Sequence, residues 1–470
     1  MRSPDRRAAA LVFVTLFVSY AWFFQGGGYN PNSRFALTRA LVEGHTLVID
    51  AYPHTGDWAE FAGHRYTNKA PALSFLAAPV WALLAGDARG EALSKPAWAA
   101  NLLVNALPAA LLGVLLFFSL GRLGVRERLL RAGAVLCYGL GTLAFPYATA
   151  FYAHQPAAVC GFAAFALLLH AEGTRTRAAW AGAAAGLAVT LELSAGLVAA
   201  TLGLWLLAAE ERRSLCIPYL LGGLPFALAL GAYNAAAFGS PFSFWFEHAN
   251  PGVEVRVAGH LFGAPSPITA LELLVLPYRG LLPTSPVLLL ALLGWPALRR
   301  AQPAAATVCA AVPIAFLALV SSFHAWYGGW APGARYLVPA LPFLCLPLAF
   351  GLARWPRWGA GLGALSAACM LAFTATAVEV PAGFAVPLLD FAAPQLVEGR
   401  VSVNPQPLDA LMPPTPYAAG GGPTNDASFN LGELLHVRGL PSLLPLLATW
   451  GGAGALLWRL RGCSRAGERV

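Results

Sequence analysis

Apolar residues in this chain fall in long, nearly unbroken runs, with none of the strict alternation of a half-buried strand. Most runs approach the roughly 20 residues that a membrane-spanning helix needs. They cover about 8–25, 97–120, 132–150, 155–171, 178–194, 196–209, 215–237, 283–298, 303–322, 336–353, 358–377 and 441–458. Between them lie short basic clusters: Arg122/Arg126/Arg128/Arg131, Arg175/Arg177, Arg212/Arg213, Arg299/Arg300, Arg354/Arg357 and the tail Arg459/Arg461/Arg465/Arg469. Positive charge is retained on the inner side of a membrane. All clusters stay on that side if an even number of runs crosses between them, and twelve spanning helices with both termini inside satisfy the condition.

One run, "APALSFLAAPVWALLAG" (70–86), has no place in that count. If it crossed, Arg122 to Arg131 would lie outside, and it is short for a span. It is predicted to be an interfacial or re-entrant helix on the outer face. The basic N-terminus followed by "AAALVFVTLFVSYAWFF" is expected to be an uncleaved first helix, because no A-x-A-like cleavage site follows it. The outer segments are then 26–96, 238–282, 321–336 and 378–440.

Composition agrees with an all-α polytopic membrane protein. Hydrophobic residues make up 58% and charged residues 11%, less than half the charged share of a soluble domain, and mean hydropathy is +0.61. The net charge of +8 comes largely from the inner-side clusters, so it does not describe a nucleic-acid-binding face. The seven cysteines contain no CxxC pair and read as small core residues. No GxxxxGK[ST] loop occurs in the inner loops, which argues against ATP-driven work.

Residues able to do chemistry gather in the outer segments. The first, "QGGGYNPNSRFALTRALVEGHTLVIDAYPHTGDWAEFAGHRYTNKAP", predicts an amphipathic helix capped by Asn32 or Ser33 and ended by Gly44, with Phe35, Leu37, Leu41 and Val42 on its apolar face. An extended piece ending at Asp50 follows. Asp57, the histidines at 45, 54 and 64, and Lys69 come just before the interfacial helix, where Pro71 fixes the backbone. A carboxylate here, Asp50 or Asp57, suits a general base. Lys69, one of only two lysines in the chain, suits a phosphate at the bilayer surface, its stem remaining in the apolar layer.

Three further clusters stand out. In "FPYATAFYAHQPAA", Tyr152 and His154 join Tyr147 at the outer end of a span. Glu192 in "AVTLELSAG" is an acid inside a predicted span and a functional candidate for that reason. In "FHAWYGGWAPGARYLVPALPFL", Trp326, Tyr327 and Trp330 suit an aromatic platform, and Arg335 suits a bidentate grip on phosphate. The Pro/Gly-rich stretch "MPPTPYAAGGGPTNDASFNLGELL" reads as either a lid or a linker.

The order of these elements resembles the GT-C superfamily of polyprenyl-phosphate-sugar-dependent glycosyltransferases, in particular the bacterial branch of the protein mannosyltransferases and the lipid A aminoarabinose transferase. That branch carries a Y-x-x-K-P-P element before the interfacial helix, its lysine near the lipid phosphate. Tyr66, Lys69 and Pro71 match it, with Ala70 in place of the first proline. The resemblance implies a transmembrane catalytic bundle over 1–377 that includes the outer loop 26–96, an outer segment 378–440, and a last helix with a basic tail over 441–470. It also implies sugar transfer from a polyprenyl-phosphate donor to a lipid, glycan or protein acceptor on the outer face of a bacterial inner membrane.

In this reading Asp50 or Asp57 is the base, and Lys69, Arg335 and Tyr66 bind the donor phosphate. His64, His154, Tyr152, Trp326, Tyr327, Trp330 and Glu192 line the substrates. No metal ligand is assigned, although the family leaves room for a divalent ion. One departure is plain: family members usually carry an acid just after the first helix, whereas this chain has Asn30 and Asn32 there and no acid in that loop before Glu43. A non-catalytic polytopic protein on the same scaffold, such as a lipid-linked glycan transporter or assembly factor, is the alternative. An O-antigen-ligase-like transferase, which would lack the Lys69 element, is a third.

Overall fold

The computed structural model describes residues 3–460 apart from 87, 89, 170–173, 405 and 410–427. Each of the twelve apolar runs coincides with helix. α1 is Ser3–Ala21. Ser94–Arg122 is continuous through α4 (Ser94–Asn101), a π turn and α5 (Leu107–Arg122). Then follow α6 (Arg128–Gly141), α7 (Ala144–Thr149), α8 (His154–Leu169), α9 (Arg175–Leu191), α10 (Gly196–Ala208) and α11 (Cys216–Phe238). The rest of the bundle is α14 (Leu289–Ala301), α15 (Pro303–Ser322), α16 (Leu341–Arg354), α17 (Pro356–Thr376) and α20 (Leu444–Leu460). Among the described residues, six helical stretches are long and apolar enough to cross a membrane by length and composition; α8 and α10 are shorter apolar helices.

Small residues set the closest helix contacts, as expected where both helix and lipid are apolar. A Cβ on Gly182 of α9 would stand 1.8 Å from the carbonyl oxygen of Tyr219, and one on Gly222 of α11 would stand 1.9 Å from that of Ala179. The two backbones therefore touch along a seam that only glycine permits. At the other end of the bundle, Asp5 of α1 binds Arg128 Nε at 2.6 Å and Arg131 at 3.0 Å, which ties α1 to α6.

The polar segments gather at the end of the bundle opposite that pair. The first holds α2 (Tyr29–Glu43), a hairpin of β2 (Trp58–Phe61) and β3 (His64–Thr67), and α3 (Ala72–Leu84). α2 differs from expectation. It begins four or five residues earlier than predicted, after Gly28, so Asn32 and Ser33 lie inside it and neither is its N-cap. Its residues from Asn30 to Ala40 are buried, so it is a core helix and not one lying along the surface. The polar positions are absorbed by neighbours: Asn32 Nδ2 donates to the carbonyls of His54 (2.8 Å) and Pro407 (3.1 Å), and Ser33 Oγ donates to that of Asp57. Gly44 ends the helix as predicted.

The hairpin was not anticipated. Its two-residue turn has positive φ at both Ala62 (52°) and Gly63 (81°), the signature of a type I′ turn. α3 starts immediately after Pro71 and leaves Leu83 and Leu84 exposed, an apolar surface suited to the bilayer.

The region 238–282 contains α12 (Pro267–Val275), and α13 (Leu281–Thr284) leads into α14. The described residues of 378–440 include a π turn leading into α18 (Ala393–Val397), then β4 (Phe429–Asn430) and α19 (Leu431–Leu434). β4 pairs antiparallel with β1 (Phe23–Phe24), Asn430 opposite Phe23. The 378–440 segment is therefore knitted into the first polar segment. The stretch read as lid or linker lies mostly outside the described residues, as do Arg461, Arg465, Arg469 and Cys463.

Candidate active site

The hairpin explains how Asp57 and Lys69 meet. Trp58 pairs with Thr67 across the strands, so Asp57, one residue before β2, and Lys69, two residues after β3, emerge at the same end. Lys69 Nζ lies 2.9 Å from Asp57 Oδ2, and both side chains are largely buried. The Asp57 backbone is pinned: its N–H donates to Thr55 Oγ1 (3.0 Å), and that hydroxyl donates to the Tyr29 carbonyl (2.6 Å).

The pair lines a cavity of about 460 Å³ together with Tyr29, Asn30, Tyr152, Glu254, Tyr327, Trp330, Arg335, Tyr336, Glu379 and Gln406, among others. Arg335 enters from the start of the helical stretch that continues as α16. Its guanidinium sits 5.4 Å from the Tyr152 ring centroid and 5.1 Å from that of Tyr336, and it donates to the Tyr152 hydroxyl at 3.3 Å. The Tyr152 hydroxyl in turn donates to Glu379 Oε1.

Glu379 was missed by sequence reasoning because "TAVEVPAG" follows an apolar run without any motif. It is 6% exposed. Burial pushes its carboxyl up to about 7 even though the Tyr152 hydrogen bond and Arg335 oppose the rise. Asp57 and Lys69 are also within electrostatic reach of it, raising and lowering it respectively.

Arg279 was missed as well. It is almost wholly buried and props the "WYGGW" turn by donating to the carbonyls of Tyr327 (3.1 Å) and Gly329 (3.0 Å). Gly328 and Gly329 both have positive φ (74° and 61°), which explains the paired glycines. Its sequence signal was an arginine in "LPYRGLLP" that belonged to none of the inner-side clusters.

Of the residues singled out from sequence, Asp57, Lys69, Tyr152, Tyr327, Trp330 and Arg335 converge on this cavity. The others stand elsewhere. Asp50 is exposed, accepting from the Arg65 amide at 2.7 Å and contacting His64 Nδ1 at 2.8 Å. Burial alone would raise its carboxyl, but the bonds from His64 and Arg65 outweigh this and hold it low. Asp50 and His64 thus clasp the hairpin to the preceding loop, outside the cavity. Tyr66 alternates to the other side of β3 and packs on Phe238 at 5.4 Å. Trp326 stacks edge-on against Tyr278 and packs against the bundle core.

Glu192 does not lie within a continuous helix: it takes an extended conformation at the break after α9. There it meets His154 Nδ1 at 3.2 Å and Arg34 at 3.9 Å. His154 stacks on Tyr152 (5.7 Å, 23°), so the Arg34–Glu192–His154 group buttresses the cavity wall from behind. Among the described residues, no group of three or more His, Cys, Asp or Glu is arranged to hold a metal ion.

No family model and no curated protein matches the sequence. Solved structures do. ArnT of Cupriavidus metallidurans in the apo state matches at 17% identity over 97% of this chain and 75% of that one, with a TM-score of 0.52. The oligosaccharyltransferase of Archaeoglobus fulgidus in the apo form matches at 14% identity over 81% of this chain and 56% of that one, TM-score 0.50. Both are GT-C glycosyltransferases. The chain has the GT-C fold. ArnT is also known bound to undecaprenyl phosphate, a structure that matches at 17% identity over 97% of this chain and 76% of that one, TM-score 0.47. At these identities the likeness is one of fold.

Proposed function

We propose that the protein is an integral-membrane glycosyltransferase that moves a sugar from a polyprenyl-phosphate donor to a lipid, glycan or protein acceptor. The observation that carries this reading is the convergence of Lys69, Arg335 and Asp57 on one cavity beside the exposed apolar α3. Two cations from separate elements suit a phosphate, Arg335 through parallel N–H donors and Lys69 as a point charge. The α3 surface suits the attached isoprenoid chain, and Tyr327 and Trp330 suit the faces of a sugar ring.

Lys69 is paired with Asp57. An incoming phosphate competes for the ammonium and releases the carboxylate to act as base. Asp57 then takes the acceptor's hydroxyl proton as the acceptor oxygen attacks the anomeric carbon. The C1–O bond to phosphate breaks, its electron pair stays on the phosphate oxygen, and Lys69 and Arg335 hold the developing charge. Attack opposite the leaving group inverts the anomeric centre.

The cavity opens to the outer face of a bacterial inner membrane in this reading, with both termini inside, because the basic clusters then all lie in the cytoplasm. In the same reading residues 1–377 make up the catalytic bundle, 378–440 an outer-face Pro/Gly-rich segment, and 441–470 the last helix and basic tail. The test is lipid and glycan profiling of a deletion strain complemented with variants. Wild type and Asp50→Asn restore the product, whereas Asp57→Asn and Lys69→Ala do not. Rescue by all three variants would overturn the reading.

A further inference from the structure

The cavity's two central carboxyls are held in opposite ways. Asp57 is in direct contact with the Lys69 ammonium, 2.9 Å away. Glu379 is more fully enclosed and meets a phenol, Tyr152, whose hydroxyl also accepts from Arg335. Among the described residues, Lys69 pairs with Asp57, Arg335 reaches Glu379 through the Tyr152 hydroxyl, and Glu254 is matched by Arg256 at 2.8 Å. A glycosyl phosphodiester brings one more negative charge beside these largely buried carboxyls. An uncompensated charge in a low-dielectric pocket is costly, and the cheapest remedy is for one carboxyl to become neutral. Asp57 already has Lys69 as its partner. Glu379 faces Tyr152, Arg335, Lys69 and Asp57 and is already poised near neutrality by burial.

We propose that Glu379 takes up a proton when the donor's phosphate enters, and that this carboxylic acid then hands its proton to the phosphate oxygen as the sugar departs. The inference rests on the glycosyltransferase reading and gives the site's second acid a role. The balance is complete. The phosphate changes from a diester of charge −1 to a monoester with a second charge developing on the oxygen that keeps the electron pair. The Glu379 proton neutralises that oxygen, while the acceptor's proton resides on Asp57. Both acids then re-equilibrate with water, and no co-reactant is needed.

The test uses the full-length protein in detergent and undecaprenyl phosphoglucose, whose phosphodiester carries the same charge from pH 6 to 9. Binding is followed by the fluorescence of Trp330 and its neighbours. Wild type should bind with constant affinity below about pH 7 and lose about tenfold per pH unit above it, the slope of one proton taken up. Glu379→Gln, a neutral isostere, should bind with a flat profile at the low-pH wild-type affinity. Tyr152→Phe removes a hydrogen bond that favours the ionised carboxylate, so its break should move to higher pH. A flat wild-type profile, or the wild-type slope persisting in Glu379→Gln, overturns the proposal while leaving the transferase reading intact. Failure of wild type to bind at any pH, or equal binding of undecaprenol without its phosphate, overturns the transferase reading itself.

Discussion

Replacing Lys69 by methionine keeps an unbranched side chain, one atom shorter, and removes the ammonium with its charge and donors. At 2.9 Å and an effective dielectric near 20, the attraction to Asp57 is ~6 kcal/mol before solvation. Both side chains retain some contact with solvent (19% for Lys69, 12% for Asp57), and desolvation cancels much of that attraction, leaving about 2 kcal/mol of net coupling. Lys69→Met strands an ionised carboxylate and Asp57→Asn strands an ammonium, so each should destabilise the fold by about 2–3 kcal/mol. The double variant strands neither, and should be less destabilised than the sum by about 2 kcal/mol. Equilibrium unfolding in mixed detergent micelles measures the cycle. Binding should separate the residues: losing a charge-assisted contact to phosphate costs about 1.5–3 kcal/mol, so Lys69→Met and the double variant should bind undecaprenyl phosphoglucose about 10- to 100-fold more weakly. Additive destabilisation together with unchanged binding would refute the argument that one lysine serves the carboxylate and the phosphate in turn.

Other variants probe the framework of the site. A Cβ on Gly28 would lie 2.9 Å from both Cδ and Oε1 of Glu379, so Gly28→Ala should displace that carboxyl. Sugar transfer should fall by about tenfold or more, with the pH break of donor binding shifted from that of wild type. Arg279→Met leaves the buried carbonyls of Tyr327 and Gly329 without their donors, at about 1–3 kcal/mol each. It should lower unfolding stability and weaken donor binding together, whereas Asp50→Asn, which loosens only an exposed clasp, should leave donor binding within about twofold.

Much of this architecture could be read in one dimension. A spanning helix must bury about twenty apolar residues in lipid whatever its neighbours are, and arginine is retained on one side of the membrane. The helical character of the twelve apolar runs followed from the first constraint, and the gathering of polar chemistry between them was visible as well. Lys69, Arg335, Tyr152, Tyr327 and Trp330 were legible because rare or clustered polar residues beside greasy sequence have few other uses.

Contacts distant in sequence decided the rest. Asp50 and Asp57 are alike as letters; a type I′ turn and the register of a four-residue hairpin put one against Lys69 and left the other clasping His64 at the surface. Glu379 carries no motif, and its role arises only where the chain end of α17 meets Tyr152, some 227 positions away in sequence. Glu192 looked like an acid adrift in a span until the break after α9 delivered it to Arg34 and His154. Hydrophobicity and positive charge act on each segment separately, so the sequence determined where the helices lie. A carboxyl's protonation state depends on whichever groups folding brings within a few ångströms, so only the tertiary structure decided which acids form the site.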